Sequence, residues 1–186
     1  MANANPQTVT TGKVRLSYVH IFTPQTAPNS DKAKYSCSVI IDKNDKKTLA
    51  AIKAAVDAAI QTGKNSKWNG KIPPVLKKPL RDGDVERPDD PAYAGAYFFN
   101  CSSDRKPGIV DANLQAILDP LEVYSGCYGR VNVSFYPFDA SGNRGVAAGL
   151  NHVMKLADGE PLGGSAPTVE AAFGDVADDL DDLLNS

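Results

Sequence analysis

Aromatic and basic side chains interleave at several points of this chain. Between Tyr128 and Tyr136, strand alternation puts Tyr128, Arg130, Asn132 and Tyr136 on one face and Val131, Val133 and Phe135 on the other. Tyr97 and Phe99 share a parity, with Arg105 and Lys106 in the turn that follows. The single tryptophan, Trp68, lies among Lys64, Lys67 and Lys71, and Lys77, Lys78 and Arg81 come soon after. Binding of single-stranded nucleic acid needs this mixture. Bases stack on aromatic faces, each worth about 1–3 kcal/mol, while Lys and Arg neutralise phosphates. The expected stackers are Trp68, Tyr97, Phe99 and Tyr128. The expected phosphate contacts are Lys77, Lys78, Arg81, Arg105, Lys106 and Arg130, together with Arg15 and Lys34. For every aromatic the competing reading is a place in the core. Alternation alone leaves open whether Tyr97/Phe99 or Phe98/Asn100 is the core face of that strand.

Other chemistries find less support. The two histidines, His20 and His152, fall on expected strands, and no GxSxG elbow surrounds a serine. Cys37, Cys101 and Cys127 are odd in number and far apart, without metal-ligand spacing or a disulfide framework, as in a reducing cytoplasm. Phosphate-binding loops are absent. Asp82, Asp84 and Glu86 are the residues a Mg²⁺-dependent nuclease would use, against a plain reading in which Asp82-Gly83 makes a tight turn beside Arg81. A virion or scaffold protein is a third reading. The binding-protein reading is preferred, with no catalysis, no cofactor and no metal.

The net charge of −2 hides an asymmetry. All 20 basic residues precede Leu156, whereas eight of the 22 acidic residues follow it. The body is therefore basic and the tail acidic, so that the tail competes for the surface that suits a polyanion. No stretch approaches the length of a membrane helix, and Met1 to Thr11 lacks an apolar signal core.

Several elements must position these residues. Gly12–Thr23 alternates as a strand, and Lys34–Asp42 as a second with Tyr35, Cys37, Val39 and Ile41 on one face. Leu49, Ile52, Val56 and Ile60 form a helical stripe, capped by Asn44 and stopped before Gly63. Gln61–Ala94 reads as a long connection with five prolines. Gly95–Ser103, Ile109-Val110, Gly126–Asp139 and Gly145–Leu156 complete the strands, the last two joined through Ser141-Gly142-Asn143. The expectation is a mainly β chain: a five- to six-stranded barrel of OB-fold type with one inserted helix. Residues 1–11 are a flexible arm, 12–156 the binding domain, and 157–186 a linker with a disordered acidic tail.

Three stretches carry a resemblance: Lys78–Asp84, Tyr124–Phe138 and Asn143–Asn151, followed by Asp158–Glu160 and Ala172–Gly174. They resemble a bacteriophage family long designated a domain of unknown function, similar to the T7-type phage single-stranded DNA-binding proteins. The resemblance spans roughly Val14 to Phe173. It implies an OB-fold core and binding of single-stranded DNA without sequence preference, in phage replication and recombination. It also implies an acidic tail that contacts phage or host replication proteins, in the cytoplasm of an infected bacterium. T7-type tails end in an aromatic residue, whereas this chain ends Leu183-Leu184-Asn185-Ser186. Self-association into a homo-oligomer is compatible with all of this, and no membrane partner is implied.

Overall fold

A computed structural model describes residues 5–28, 30–140 and 142–162. The expectations for the acidic tail lie outside the described residues. In chain order the elements are β1 (Thr8–Thr10), β2 (Val14–Thr26), β3 (Ala33–Asp42), α1 (Lys46–Ser66), β4 (Arg81–Asp82), α2 (Gly83–Glu86), β5 (Ala96–Ser103), β6 (Gly108–Val110), β7 (Tyr128–Ala140) and β8 (Asn143–Ala157).

Five of these strands close a ring. β2 pairs with β3, β3 with β5, β5 with β8, β8 with β7, and β7 returns to β2 through Val14↔Gly129 and Arg15↔Tyr128. All these pairings are antiparallel except β5–β8, which is parallel. Counting ring strands in chain order gives 1-2-3-5-4-1, the Greek-key barrel of the OB-fold, mainly β with one long helix. Closure leaves no open edge within the ring. β1 and β6 extend it beside β7 and β8, and β4 lies beside β5.

Alternation fills the barrel. Leu16, Val39, Ile41, Phe99, Val131, Val133, Phe135 and Val153 are all fully buried. The Phe99 and Phe135 rings meet edge-on, with centroids 5.6 Å apart. The face of the third ring strand left open by its sequence is thereby settled: Phe99 points inward, and Phe98 lies on the outer surface beneath a separate apolar cluster.

α1 packs its stripe of Leu49, Ile52, Ala55, Val56 and Ala59 onto the main core. Its cap is Asp45 rather than Asn44, because the Asp45 carboxylate accepts the Thr48 N–H at 3.1 Å. The helix does not stop at Gly63. That glycine is buried against Trp68 and Pro137, and a Cβ there would fall 2.6 Å from Pro137 and 2.7 Å from the indole. Close packing, not helix termination, explains the glycine.

Two other expectations are corrected. The N-terminal arm contains β1, whose Thr8, Val9 and Thr10 pair with Ser134, Val133 and Asn132. Its polar composition masks this, since within β1 only Val9 is buried. The proline-rich connection is not a bare loop: α1 extends into it to Ser66, and β4, α2 and a single turn at Pro91–Tyr93 lie along it.

Candidate nucleic-acid interface

On the outside of the ring, register aligns one residue from each of five neighbouring strands. Tyr128 stands beside Arg15, Arg15 opposite Ile40, Ile40 opposite Phe98, and Phe98 opposite Arg81. The next row is small and polar, with Ser17, Ser38 and Asn100, and the one after holds His20, Ser36 and Ser102. The face thus has an apolar band, its Ile40 and Phe98 covered by neighbouring side chains, bounded by arginines, and a polar trough beside it in which Ser17 and Ser38 are buried and Asn100 is exposed.

Two residues missed by sequence reasoning dominate this face. Register shifts between Ser17 and His20, and within that shift Tyr18 takes a left-handed conformation with φ of 47°. By alternation Tyr18 belongs with inward-pointing Leu16, but the bulge turns it outward, 52% exposed. Arg87 lies over three rings at once, its guanidinium carbon 5.5 Å from the Tyr18 centroid, 5.4 Å from Tyr93 and 5.6 Å from Phe98. It also donates from Nη1 to the Tyr18 hydroxyl at 3.4 Å. Beneath it Tyr93 and Phe98 pack edge-on, 4.9 Å apart, and the Tyr93 hydroxyl meets Ser38 Oγ at 3.2 Å. The only local signal for Arg87 was a basic residue within a proline-rich connection. For Tyr18 there was none, because a bulge is a tertiary event.

At the other end of the band, Lys13 Nζ lies 4.9 Å and the Arg15 guanidinium 5.5 Å from the Tyr128 ring centroid. Arg130 follows on the same face of β7, its Nε donating to the Thr11 carbonyl at 2.8 Å. Residues 158–162 cross this end as a strap. The Tyr124 hydroxyl donates to Gly159 O at 2.9 Å, and Arg15 Nη2 donates to Glu160 O at 2.7 Å. The Leu162 N–H donates to Ser125 O at 2.9 Å. Leu162 then packs against the cluster of Ile40, Tyr93, Ala96 and Phe98. The described chain therefore ends on the apolar band itself.

The sequence-derived residues separate into groups. Arg15, Arg81, Tyr128 and Arg130 lie along the band and its continuation on β7. Lys34, Arg105 and Lys106 gather at the β2–β3 hairpin, where Lys34 reaches Asp104 at 4.0 Å and Lys106 covers the Phe22 ring at 5.4 Å. Lys77 and Lys78 are exposed beside the β7–β8 hairpin, with the Lys77 N–H bonded to Arg144 O at 2.9 Å. Three expected stackers need correction. Phe99 is fully buried inside the barrel, so no base can reach it. Trp68 is 4% exposed, and its indole N–H donates to Phe138 O at 3.3 Å. The lysines around it are exposed while the ring faces inward. Tyr97 sits on the inward parity opposite Ile41 and packs against the main core, with Lys43 Nζ 5.1 Å from its ring centroid.

The acidic cluster holds a lysine. Lys43 Nζ lies 2.9 Å from Asp82 and 2.8 Å from Asp84, and Arg81 meets Glu86 at 3.6 Å. Hydrogen bonds donated to Asp84 and then to Asp82 hold the ammonium well above the ordinary lysine range. Lys43 first, and the Gly95 N–H second, lower Asp84 below the usual carboxylate value. Among the described residues no three His, Cys, Asp or Glu side chains converge as a metal site. Cys37 and Cys101 face each other inside the barrel, their sulfurs 3.6 Å apart.

Residues 7–184 match the family model described as Enterobacter phage Enc34, ssDNA-binding protein. Putative protein p50 of Acyrthosiphon pisum secondary endosymbiont phage 1 is 30% identical over 168 residues, covering 84% of this chain and 88% of that protein. The single-stranded DNA-binding protein of bacteriophage Enc34, solved in complex with ssDNA, superposes with a TM-score of 0.71. It is 26% identical, over 84% of this chain and 90% of that one. Gp2.5, the single-stranded DNA-binding protein of bacteriophage T7, shares the fold, with a TM-score of 0.59 at 16% identity, over 90% of this chain and 99% of that one. The chain belongs to the Enc34 single-stranded DNA-binding protein family, a non-enzymatic family of phage proteins.

Proposed function

We propose that this member of the Enc34 family lays unpaired DNA across the outer face of β2, β3 and β5, between the β2–β3 and β7–β8 hairpins. Oligonucleotides bind five-stranded barrels of this order on that side. The observation that carries the reading is the Tyr18–Arg87–Tyr93–Phe98 stack beside the polar trough. It offers an exposed ring and a cation at one point. Arg15, Arg81, Lys13 and Tyr128 continue the track, with Arg130 beyond them. Lys34, Arg105 and Lys106 serve the strand at one hairpin, and Lys77 and Lys78 at the other. Stacking and phosphate neutralisation are blind to sequence, so the protein coats single strands during phage replication and recombination, in the host cytoplasm. The acidic tail competes with DNA for the basic body and recruits replication partners once displaced.

Fluorescence anisotropy with labelled oligo-dT and a matching duplex, each at two salt concentrations without Mg²⁺, tests this. The expected result is preference for oligo-dT and weakening with salt. Equal affinity for duplex would remove the stacking track and leave only a charged surface.

A further inference from the structure

A second feature lies away from the face of β2, β3 and β5. On the outer side of β7 and β8, between β1 and β6, Thr10, Val110, Leu114, Arg130, His152 and Met154 line a groove of about 260 Å³. Register sets out its two rows. Asn132 lies opposite His152, with Gly108 beyond, and Arg130 lies opposite Met154, with Val110 beyond. Leu114 overhangs the groove, 69% exposed and at a left-handed φ of 64°. His152 is exposed, and its imidazole takes the space that a side chain at Gly108 would need, since a Cβ there would fall 2.6 Å from Nδ1. Asn132 is committed to the wall: it donates to Thr10 Oγ1 at 2.8 Å and accepts from Asn151 Nδ2 at 2.9 Å. Arg130 uses Nε on the Thr11 carbonyl, and its two terminal nitrogens have no hydrogen-bond or ion-pair partner among the described residues.

We infer that this groove is a nucleobase subsite, in which one base of the bound strand stacks on the His152 imidazole while its phosphate meets the Arg130 guanidinium. The inference rests on the single-stranded DNA reading and carries the strand onto a second face of the barrel. Size selects the occupant. Pockets for drug-sized ligands run to about 300–1,000 Å³, so this groove falls below them and suits a single flat ring system. The lining agrees. Unpaired bases stack on histidine as they do on Phe, Tyr and Trp, and a thioether such as that of Met154 makes favourable contacts with ring edges. Val110 and Leu114 supply aliphatic walls that keep water off the ring. Charge and continuity place the strand. Arg130 shares the outer face of β7 with Tyr128, two residues away, roughly 6.5 Å along the strand. A strand leaving the track at Tyr128 therefore meets the unpaired nitrogens of Arg130 next, and the groove directly after.

Photo-crosslinking of the full chain to an oligonucleotide carrying 5-iodouracil in place of every thymine tests this, with the adducts mapped by mass spectrometry. Adducts are expected on His152 or Met154, in addition to those on the track. Anisotropy with oligo-dT is the second arm. His152→Ala should weaken binding about 5-fold or more, the low end for one lost stack. His152→Phe should restore it, because stacking needs a flat ring and not a ring nitrogen. The side chain is exposed, so both variants should keep the urea midpoint of the unaltered chain. Adducts confined to the peptides of Tyr18, Arg87 and Tyr128, or a His152→Ala chain that binds as tightly as the unaltered one, would overturn the subsite and leave the track standing. A loss shared equally by His152→Phe would overturn it too, since His152 would then act through a hydrogen bond rather than a stack. If the unaltered chain binds no oligo-dT at all, the DNA reading fails and the subsite falls with it.

Discussion

Tyr18 shows how far a single residue can depart from its local pattern. It carries the parity of a core residue, yet a bulge with a positive φ turns it to solvent, where Arg87 covers it. A left-handed tyrosine costs about 1–3 kcal/mol and persists only where its surroundings hold it, which is reason to place function there. Tyr18→Ala should weaken oligo-dT binding by about 1–3 kcal/mol, the range for one lost base stack. Tyr18→Phe should retain most of the affinity, because stacking needs the ring and not the hydroxyl. Equal losses in both variants, measured by anisotropy, would assign Tyr18 to hydrogen bonding instead. Trp68 is the converse. Composition placed it on a basic surface, but the indole closes the end of α1 against Gly63 and Pro137. Trp68→Ala should cost about 3–5 kcal/mol of stability, read from urea unfolding, with oligo-dT affinity unchanged in the fraction that remains folded. Phe99 and Tyr97 were misplaced for a related reason. A strand with aromatic residues on both parities does not announce its inner face, and only the pairing Val39↔Phe99 and the edge-on contact with Phe135 decide it.

At the scale of elements, most of the architecture was legible. The ring strands and α1 declare themselves by period, since alternation and the 3.6-residue stripe are both direct consequences of one-sided burial. Illegible were the elements held by others rather than by their own sequence: β1, two-residue β4, α2 and the strap. The α2 segment is tied down by the Asp84 carboxylate, which accepts from Lys43 Nζ at 2.8 Å and from the Gly95 N–H at 3.0 Å. This bond has a pH sign. The folded-state pKa of Asp84 lies below its unfolded value, because of Lys43 first and the Gly95 N–H second. The stabilisation is therefore complete above the ordinary carboxylate pKa and is lost as pH falls below it, through the folded value. Arg87 follows α2 directly and reaches the rings from there. Hydrogen exchange of residues 83–95 should accelerate below about pH 4, the ordinary carboxylate value, relative to the β7–β8 hairpin. Asp84→Asn should show the fast exchange already at neutral pH, and exchange indifferent to both changes would mean that the Tyr93 and Phe98 packing alone holds the segment.

At the scale of the whole molecule, charge and topology work on the same surface. The strand order brings Arg15 and Arg81, 66 residues apart in sequence, into one row. The strap crosses that row and leaves the chain on it, at Leu162. The body before Leu156 carries a net positive charge, and the segment beyond it is purely acidic. Its acids therefore start from the surface where a polyanion would bind. A tail that competes with DNA, as proposed, would change the shape of the salt dependence as well as the affinity. Phosphate contacts release counterions, giving a slope of log K on log salt of about −0.7 per contact for single strands, or about −3 for four contacts. Salt would also weaken such a tail's hold on the same cations, which would favour DNA and oppose that slope. The full chain should therefore show a shallower slope than a chain lacking Phe173–Ser186. The truncated chain should bind tighter at low salt, and the two lines should converge as salt screens the tail. Parallel lines would mean that the tail never touches the cations DNA uses, and its acidity would then serve partner binding alone.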